Sequence, residues 1–179
     1  VVRLIAGGVL VAPCAAISQC SFRSLFFAQC LVAGPRQYRH ADALCVRFRA
    51  DGTMLWSRAF GGIGNDVIRS IEATTDGGCI AVGTSNSADS FIADPAARRA
   101  GDYWVVKLTA DGVMQWEATI GGSSSESGNS VRQTRDGGYI VVGEGARVVR
   151  LSPEGRILWQ RDHHRKWDDT FNEIQLTDD

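Results

Sequence analysis

One stretch of this chain occurs twice, sixty residues apart, and few folds tolerate such a repeat. Asp42 to Gly62 reads DALCVRFRADGTMLWSRAFGG, and Asp102 to Gly122 reads DYWVVKLTADGVMQWEATIGG, with Asp51, Gly52, Trp56, Gly61 and Gly62 in register with their later counterparts. The segments that follow repeat at the same spacing: SIEATTDGGCIAVG from Ser70 to Gly83 stands over SVRQTRDGGYIVVG from Ser130 to Gly143. A third copy, VVRLSPEGRILWQ from Val148 to Gln160, starts forty-three residues after the second, so the longer unit carries an insertion from about Thr84 to Gly101. Fixed-period similarity of this length marks a chain built from stacked supersecondary units, each too small to bury its own apolar face.

Each unit holds four short runs suited to strands, near Ser130 to Thr134, Tyr139 to Gly143, Val148 to Leu151 and Ile157 to Gln160. Asp-Gly-Gly at 136–138 and Asp-Gly at 111–112 lie between such runs and supply the positive φ that tight hairpins need. The expectation is an all-β chain of four-stranded antiparallel units, a β-propeller with about three full blades and partial blades at both ends. The blades span 21–60, 69–119 and 129–161, and 172–179, within FNEIQLTDD at 171–179, starts a truncated one. Ser21 to Gly34 aligns with the first two strands of a unit, with Phe27, Ala28 and Gln29 in place of the Asp-Gly-Gly turn. Residues 1–20 read either as a degenerate half blade or as a secretory signal with Arg3 as its charged region.

These residues resemble bacterial β-propeller repeats of the form D-x-x-V-x-K-L, then G-x-x-x-W, then G-G with an acid, then D-G-G-Y-I-V-x-G. The Asp-Gly-x-x-x-Trp elements at 51–56 and 111–116 are also similar to the tryptophan-docking element of pyrroloquinoline-quinone-type propellers. The resemblance implies that SVRQT is the innermost strand and MQWEAT the outermost, and that Trp56, Trp116 and Trp159 pack as rivets against the next blade. It covers residues 42–160 well, and it implies no single activity.

Nineteen Lys and Arg against twenty Asp and Glu leave a net charge of −1, so no field draws nucleic acid or an anionic membrane to the surface. The N-terminal apolar run is too short and glycine-rich to span a membrane, which takes about 20 apolar residues. Five cysteines occur without a CxxC pair or histidines at zinc spacing, and Cys45 and Cys79 fall in strand runs as small buried residues.

Antiparallel order sends the Asp-Gly turns to one face of such a propeller and every irregular loop to the other. Binding groups concentrate on variable loops held by a rigid scaffold. Candidate ligand-binding residues are therefore Asp94, Arg98 and Arg99 in the insertion and His163, His164 and Trp167 in the loop HHRKWDD. Gly61 to Asp66 matches the G-G-x-G-x-D calcium repeat of β-rolls, but only once, and its echo sixty residues later reads GGSSSE. Asp66, Glu126 and Asp169 occupy equivalent positions. Their first reading is as acids that accept backbone N–H bonds and order a loop, their second as calcium ligands.

No nucleophile elbow, phosphate loop or glycosidase carboxylate pair is written in the sequence. The expected function is a non-catalytic binding or scaffolding module, secreted or on the bacterial cell surface, that engages a protein or glycan and any further blades. The rival is a propeller enzyme with a central-funnel site, quinone-dependent or hydrolytic. The strands placed near the axis, carrying Glu72, Arg132 and Gln133, show no recurrent charged cluster to serve it.

Overall fold

The computed structural model describes residues 9–10, 24–33, 40–87, 101–121, 125–163 and 169–177, the first twelve and 40–41 by backbone alone. All of the named elements are strands, and they form three antiparallel sheets in chain order. The first sheet contains β1 (Val9–Leu10), β2 (Ser24–Ala33), β3 (His40–Arg49) and β4 (Met54–Phe60). The second contains β5 (Asp66–Ala73), β6 (Cys79–Ser85), β7 (Asp102–Leu108) and β8 (Met114–Ile120). The third contains β9 (Gly128–Gln133), β10 (Tyr139–Gly143), β11 (Arg147–Leu151) and β12 (Ile157–Asp162). No helix long and apolar enough to cross a membrane occurs among the described residues.

Alternation along each strand explains why the middle sheet is apolar on both sides. Ile68, Ile71, Cys79, Ala81, Trp104, Val106 and Leu108 face the first sheet and meet Ala43 and Cys45. Their neighbours Ile80, Val82, Tyr103, Val105 and Ile120 face the third sheet and meet Val131, Tyr139, Val141, Val149 and Leu151. A side chain of this size is worth roughly 1.5–3 kcal/mol when taken out of water, so these two layers carry most of the stability.

The Asp-Gly-Gly motif has a separate reason for each residue. In the β5–β6 turn the Asp76 carboxylate accepts from the Gly78 N–H at 3.0 Å and from the Thr74 hydroxyl. Gly77 takes φ +81°, a region glycine enters without strain. Gly78 has no room for a side chain, because a Cβ there would stand 2.1 Å from the Leu108 carbonyl oxygen. The turn is then latched from β7: Lys107, only 3 % exposed, donates to Asp76 Oδ2 at 2.8 Å and to the Leu108 carbonyl at 3.0 Å. Arg150 repeats the latch on Asp136 at 2.6 Å. In the first sheet the equivalent Arg47 reaches the Ala110 carbonyl instead.

Where Phe27, Ala28 and Gln29 replace Asp-Gly-Gly, the structure departs from the expected pair of strands. β2 runs unbroken through them for ten residues and pairs with β3 along its whole length. Without residues that favour positive φ the backbone stays extended. Val9 and Leu10, within the segment expected to be a half blade or a signal, pair with Ala28 and Phe27 and provide the first sheet's first strand.

Successive sheets are joined through tryptophan. The Trp56 indole lies over Gly112 in the β7–β8 turn, and its Nε1 donates to the Ala110 carbonyl at 2.8 Å. The Trp116 indole lies over Gly155 in the β11–β12 turn, and its Nε1 donates to the Pro153 carbonyl at 3.0 Å. A Cβ on Gly112 would come 2.9 Å from the first ring, and one on Gly155 2.6 Å from the second. Trp116 also meets Tyr139 edge-on, with ring centroids 5.7 Å apart, a favourable aromatic arrangement. Trp159, the third member of the series, is 43 % exposed.

Cys45 and Cys79 are free thiols in the layer between the first two sheets. Burial pushes the Cys45 thiol up to about 12 and raises Cys79 further, so neither forms the reactive thiolate near neutral pH. Alkylation of both by iodoacetamide, followed by peptide mapping, is expected to proceed only at the rate of unfolding. Labelling of either in the native state would refute this placement.

Candidate functional site

The antiparallel order gathers the turns at 51–52, 76–78, 111–112, 136–138 and 154–155 at one end of the sheets. The opposite end carries Gly61–Asn65, Asn86 and Ser87, Gly101, Ser125–Ser127, Glu144–Ala146, and the described flanks of the last loop, His163 and Asp169–Thr170. It is built almost wholly from polar contacts.

Asp66 opens β5 and is 1 % exposed. Its Oδ2 accepts from the Gly62 N–H at 2.8 Å and the Ser87 hydroxyl at 2.7 Å, while Oδ1 accepts from the Ser85 hydroxyl. The loop before it is tied to the exit of β6, with the Gly64 N–H on Ser87 Oγ at 2.9 Å and the Asn65 N–H on Asn86 Oδ1 at 2.6 Å. Close approach also accounts for the first glycine of each Gly-Gly pair. A Cβ on Gly61 would lie 2.6 Å from Asp66 Oδ2 and 2.8 Å from Asp42 Oδ1, and one on Gly121 would lie 1.9 Å from Asp102 Oδ1.

Glu126, in the corresponding position before β9, has a different partner. Its carboxylate pairs with Arg147, whose Nε also donates to Asp162 Oδ1 at 2.7 Å. Burial alone would lower the Arg147 pKa, but Asp162 and Glu126 outweigh it and raise it. Around this ion pair the Tyr103 hydroxyl donates to the Glu144 carbonyl at 2.6 Å, and Thr84 Oγ1 lies 2.7 Å from Ser127 Oγ. Asp169 is half-buried beside Thr170, which bridges to Glu144, and the Phe171 N–H donates to the Gly143 carbonyl at 2.9 Å. Asp66 and Glu126 therefore serve two successive loops. Among the described residues no three His, Cys, Asp or Glu side chains are placed to share a metal ion.

His163 is exposed at the end of β12, its N–H bonded to the Ala146 carbonyl at 3.0 Å and its ring 6.3 Å from that of Phe171. Asp94, Arg98, Arg99, His164 and Trp167 lie outside the described residues. Beside Asp66 a crevice of about 140 Å³ is lined by Gly61, Gly62, Ser85, Ser87, Trp104, Met114 and Glu117. That is well short of the roughly 300 Å³ at which small-molecule sites begin. The Trp104 indole N–H donates to Glu117 Oε2 at 2.9 Å across it.

Two features of this framework escaped the sequence reading. The Glu126–Arg147–Asp162 cluster joins residues from non-repeating loops and strand ends, so no periodic signal announces it. The latch of Lys107 and Arg150 was recoverable, since a basic residue stands in register with Arg47 in all three copies. Where β5 and β9 run side by side, Glu72 accepts from the Gln133 N–H at 3.0 Å and Gln133 Oε1 accepts from the Thr75 N–H at 2.8 Å. These groups, placed near an axis by the sequence, thus bond one sheet to the next. No protein-family model matches the chain, and no curated protein is similar to it.

Proposed function

We propose that the chain is a run of β-propeller blades of the bacterial repeat type, serving as a non-catalytic binding or scaffolding module on the cell surface or in a secreted protein. One observation carries the reading: the two ends of the sheets are built differently. Short turns closed by glycine form one end. At the other, the irregular loops spring from a network in which Asp66, Glu126 and Arg147 spend their hydrogen-bonding capacity on the scaffold itself. A rigid base beneath long variable loops suits recognition of a protein or glycan. The tryptophan step, made twice in one direction, supports the propeller part of the reading.

The test compares two variants on an array of immobilised glycans and bacterial surface proteins. One replaces residues 88–100 with a short Gly-Ser linker, and the other carries Arg135→Glu at the turn end. Binding lost only in the first is the expected result. Equal loss in both, or no binding by the wild-type chain to any member of the array, would overturn the proposal. Because three donors already occupy the Asp66 carboxylate, millimolar calcium is expected to leave the melting temperature unchanged. A calcium-dependent rise, abolished by Asp66→Asn, would make this acid a ligand.

A further inference from the structure

We propose that Arg69 is a carboxylate-binding residue at the loop end of the sheets, and that its ligand is an acidic glycan held through a uronate group. This rests on the binding-module reading above and names the ligand class for the same end. The first strands of the second and third sheets each carry a β-bulge at the same place. In the β5–β6 ladder Ile68 pairs with Gly83 and Ser70 with Val82, so Arg69 is the extra residue. In the β9–β10 ladder Gly128 pairs with Gly143 and Ser130 with Val142, so the extra residue is Asn129. A bulge takes its extra residue out of the ladder and re-aims the side chain. Arg69 is turned to Ser127, just before β9, and Asn129 to Thr170, forty-three residues further on.

The two residues use this place differently. Asn129 is half-buried, and its amide donates to Thr170 Oγ1 at 3.2 Å and to the Phe171 carbonyl at 3.1 Å. Arg69 is exposed, and among the described residues its guanidinium makes one hydrogen bond, from Nη2 to Ser127 Oγ at 3.4 Å. That is longer than the roughly 2.7–3.2 Å of an ordinary N–H to oxygen bond. Asparagine therefore suffices for the contact between segments. What arginine adds is a permanent charge and a planar fork of donors that fits a carboxylate through two parallel bonds. Its anchor is firm, because Ser127 is only 5 % exposed and its Oγ lies 2.7 Å from Thr84 Oγ1, which donates to the Glu126 carbonyl at 3.1 Å. One edge of the guanidinium is thus tethered and the fork is presented to solvent.

The acids of this network have other donors. Asp66 accepts from Gly62, Ser85 and Ser87, while Glu126 and Asp162 both pair with Arg147. The surroundings favour a glycan over a protein as the source of the carboxylate. Among the described residues of this end, Ile63 is the one large apolar side chain that is exposed, whereas protein interfaces draw most of their energy from several apolar and aromatic anchors. With a net charge of −1 the chain has no general attraction for polyanions, so retention of an acidic glycan has to come from a local cation.

The experiment is surface plasmon resonance of the 179-residue chain over polygalacturonate, alginate and hyaluronan, each beside its carboxyl-reduced form, and over neutral glycans and bacterial surface proteins. Arg69→Asn installs the residue that β9 uses at this position, so far-UV circular dichroism and melting temperature should match the wild-type chain. Arg156→Asn, at the exposed turn end, is the control. The wild-type chain is expected to bind at least one of the three acidic glycans and to lose that binding when the carboxylates are reduced. Arg69→Asn should weaken it about tenfold or more, the usual worth of hydrogen bonds to a charged group, and Arg156→Asn should leave it unchanged. Binding that survives carboxyl reduction or Arg69→Asn, equal weakening by Arg156→Asn, or binding confined to neutral glycans or proteins would overturn this inference and leave the binding-module reading standing. Binding to nothing on the surfaces would overturn both.

Discussion

Replacing Gly83 with alanine is expected to lower the unfolding free energy by about 3 kcal/mol or more, the upper range for overpacking a well-filled interior. A Cβ at this position would sit 1.8 Å from the Val67 carbonyl oxygen and 2.8 Å from the Ile68 Cα. Both neighbours are backbone of the paired strand β5, and the irregularity in the β5–β6 register falls beside them. Rotating a side chain cannot relieve the clash, so the strands must part and lose hydrogen bonds. Gly77→Asn is the control: that residue has positive φ and open space around it, and the change should cost no more than a few tenths of a kcal/mol. Urea unfolding of the two variants would decide the matter. Equal losses would show that these glycines are kept for backbone conformation and not for close approach.

Removing the carboxylate that latches the β5–β6 turn is the second large expected effect. Asp76→Ala leaves the Lys107 ammonium buried with the Leu108 carbonyl as its remaining partner. Stranding a charge deep in a protein costs about 3–5 kcal/mol, but Asp76 is 48 % exposed and its field is screened by water, so about 2 kcal/mol is expected. Burial pushes the Asp76 pKa up, yet the bonds from Lys107, Thr74 and the Gly78 N–H outweigh it and hold it down at about 2. The Thr134 hydroxyl and Arg150 bring Asp136 to about 2 as well.

Both carboxylates are thus depressed below the ordinary value near 4. Stability they contribute is fully present above that value and is lost as pH falls through about 2, where the folded protein also takes up the protons. Melting temperature should accordingly stay flat near neutrality and fall between about pH 4 and pH 2. That acid limb should be shallower in Asp76→Asn. A limb unchanged by the substitution would mean that Asp76 is not paired in solution.

The repeats were legible because each signature residue answers a local demand that recurs in every unit. Gly77 and Gly78, Gly112 and Trp56, and Lys107 and Asp76 are examples. The register of two copies sufficed to place turns, strands and the docking tryptophans. Where the demand is unique the sequence is silent. The chain extends through Phe27–Gln29 because nothing there forces a turn, and an alignment that assumes one cannot reveal this. At the loop end Asp66 could be singled out by its recurrence, but its partners Ser85 and Ser87 belong to an aperiodic run. Glu126 meets Arg147 only once β9, β10 and β11 have paired in the third sheet. Trp159 reads like its two counterparts, and only the structure shows it to be 43 % exposed.

Consecutive sheets are joined by the indole-over-glycine contact, and a double-mutant cycle between Trp116→Ala and Gly155→Asn tests that contact most directly. Asn at 155 tolerates φ +81° but drives its Cβ into the Trp116 ring. It should therefore destabilise the wild-type chain and be nearly neutral once the indole is gone. A coupling of about 1 kcal/mol or more between the two sites is the predicted result. Effects that add to within about 0.5 kcal/mol would mean that the tryptophans do not hold one sheet to the next.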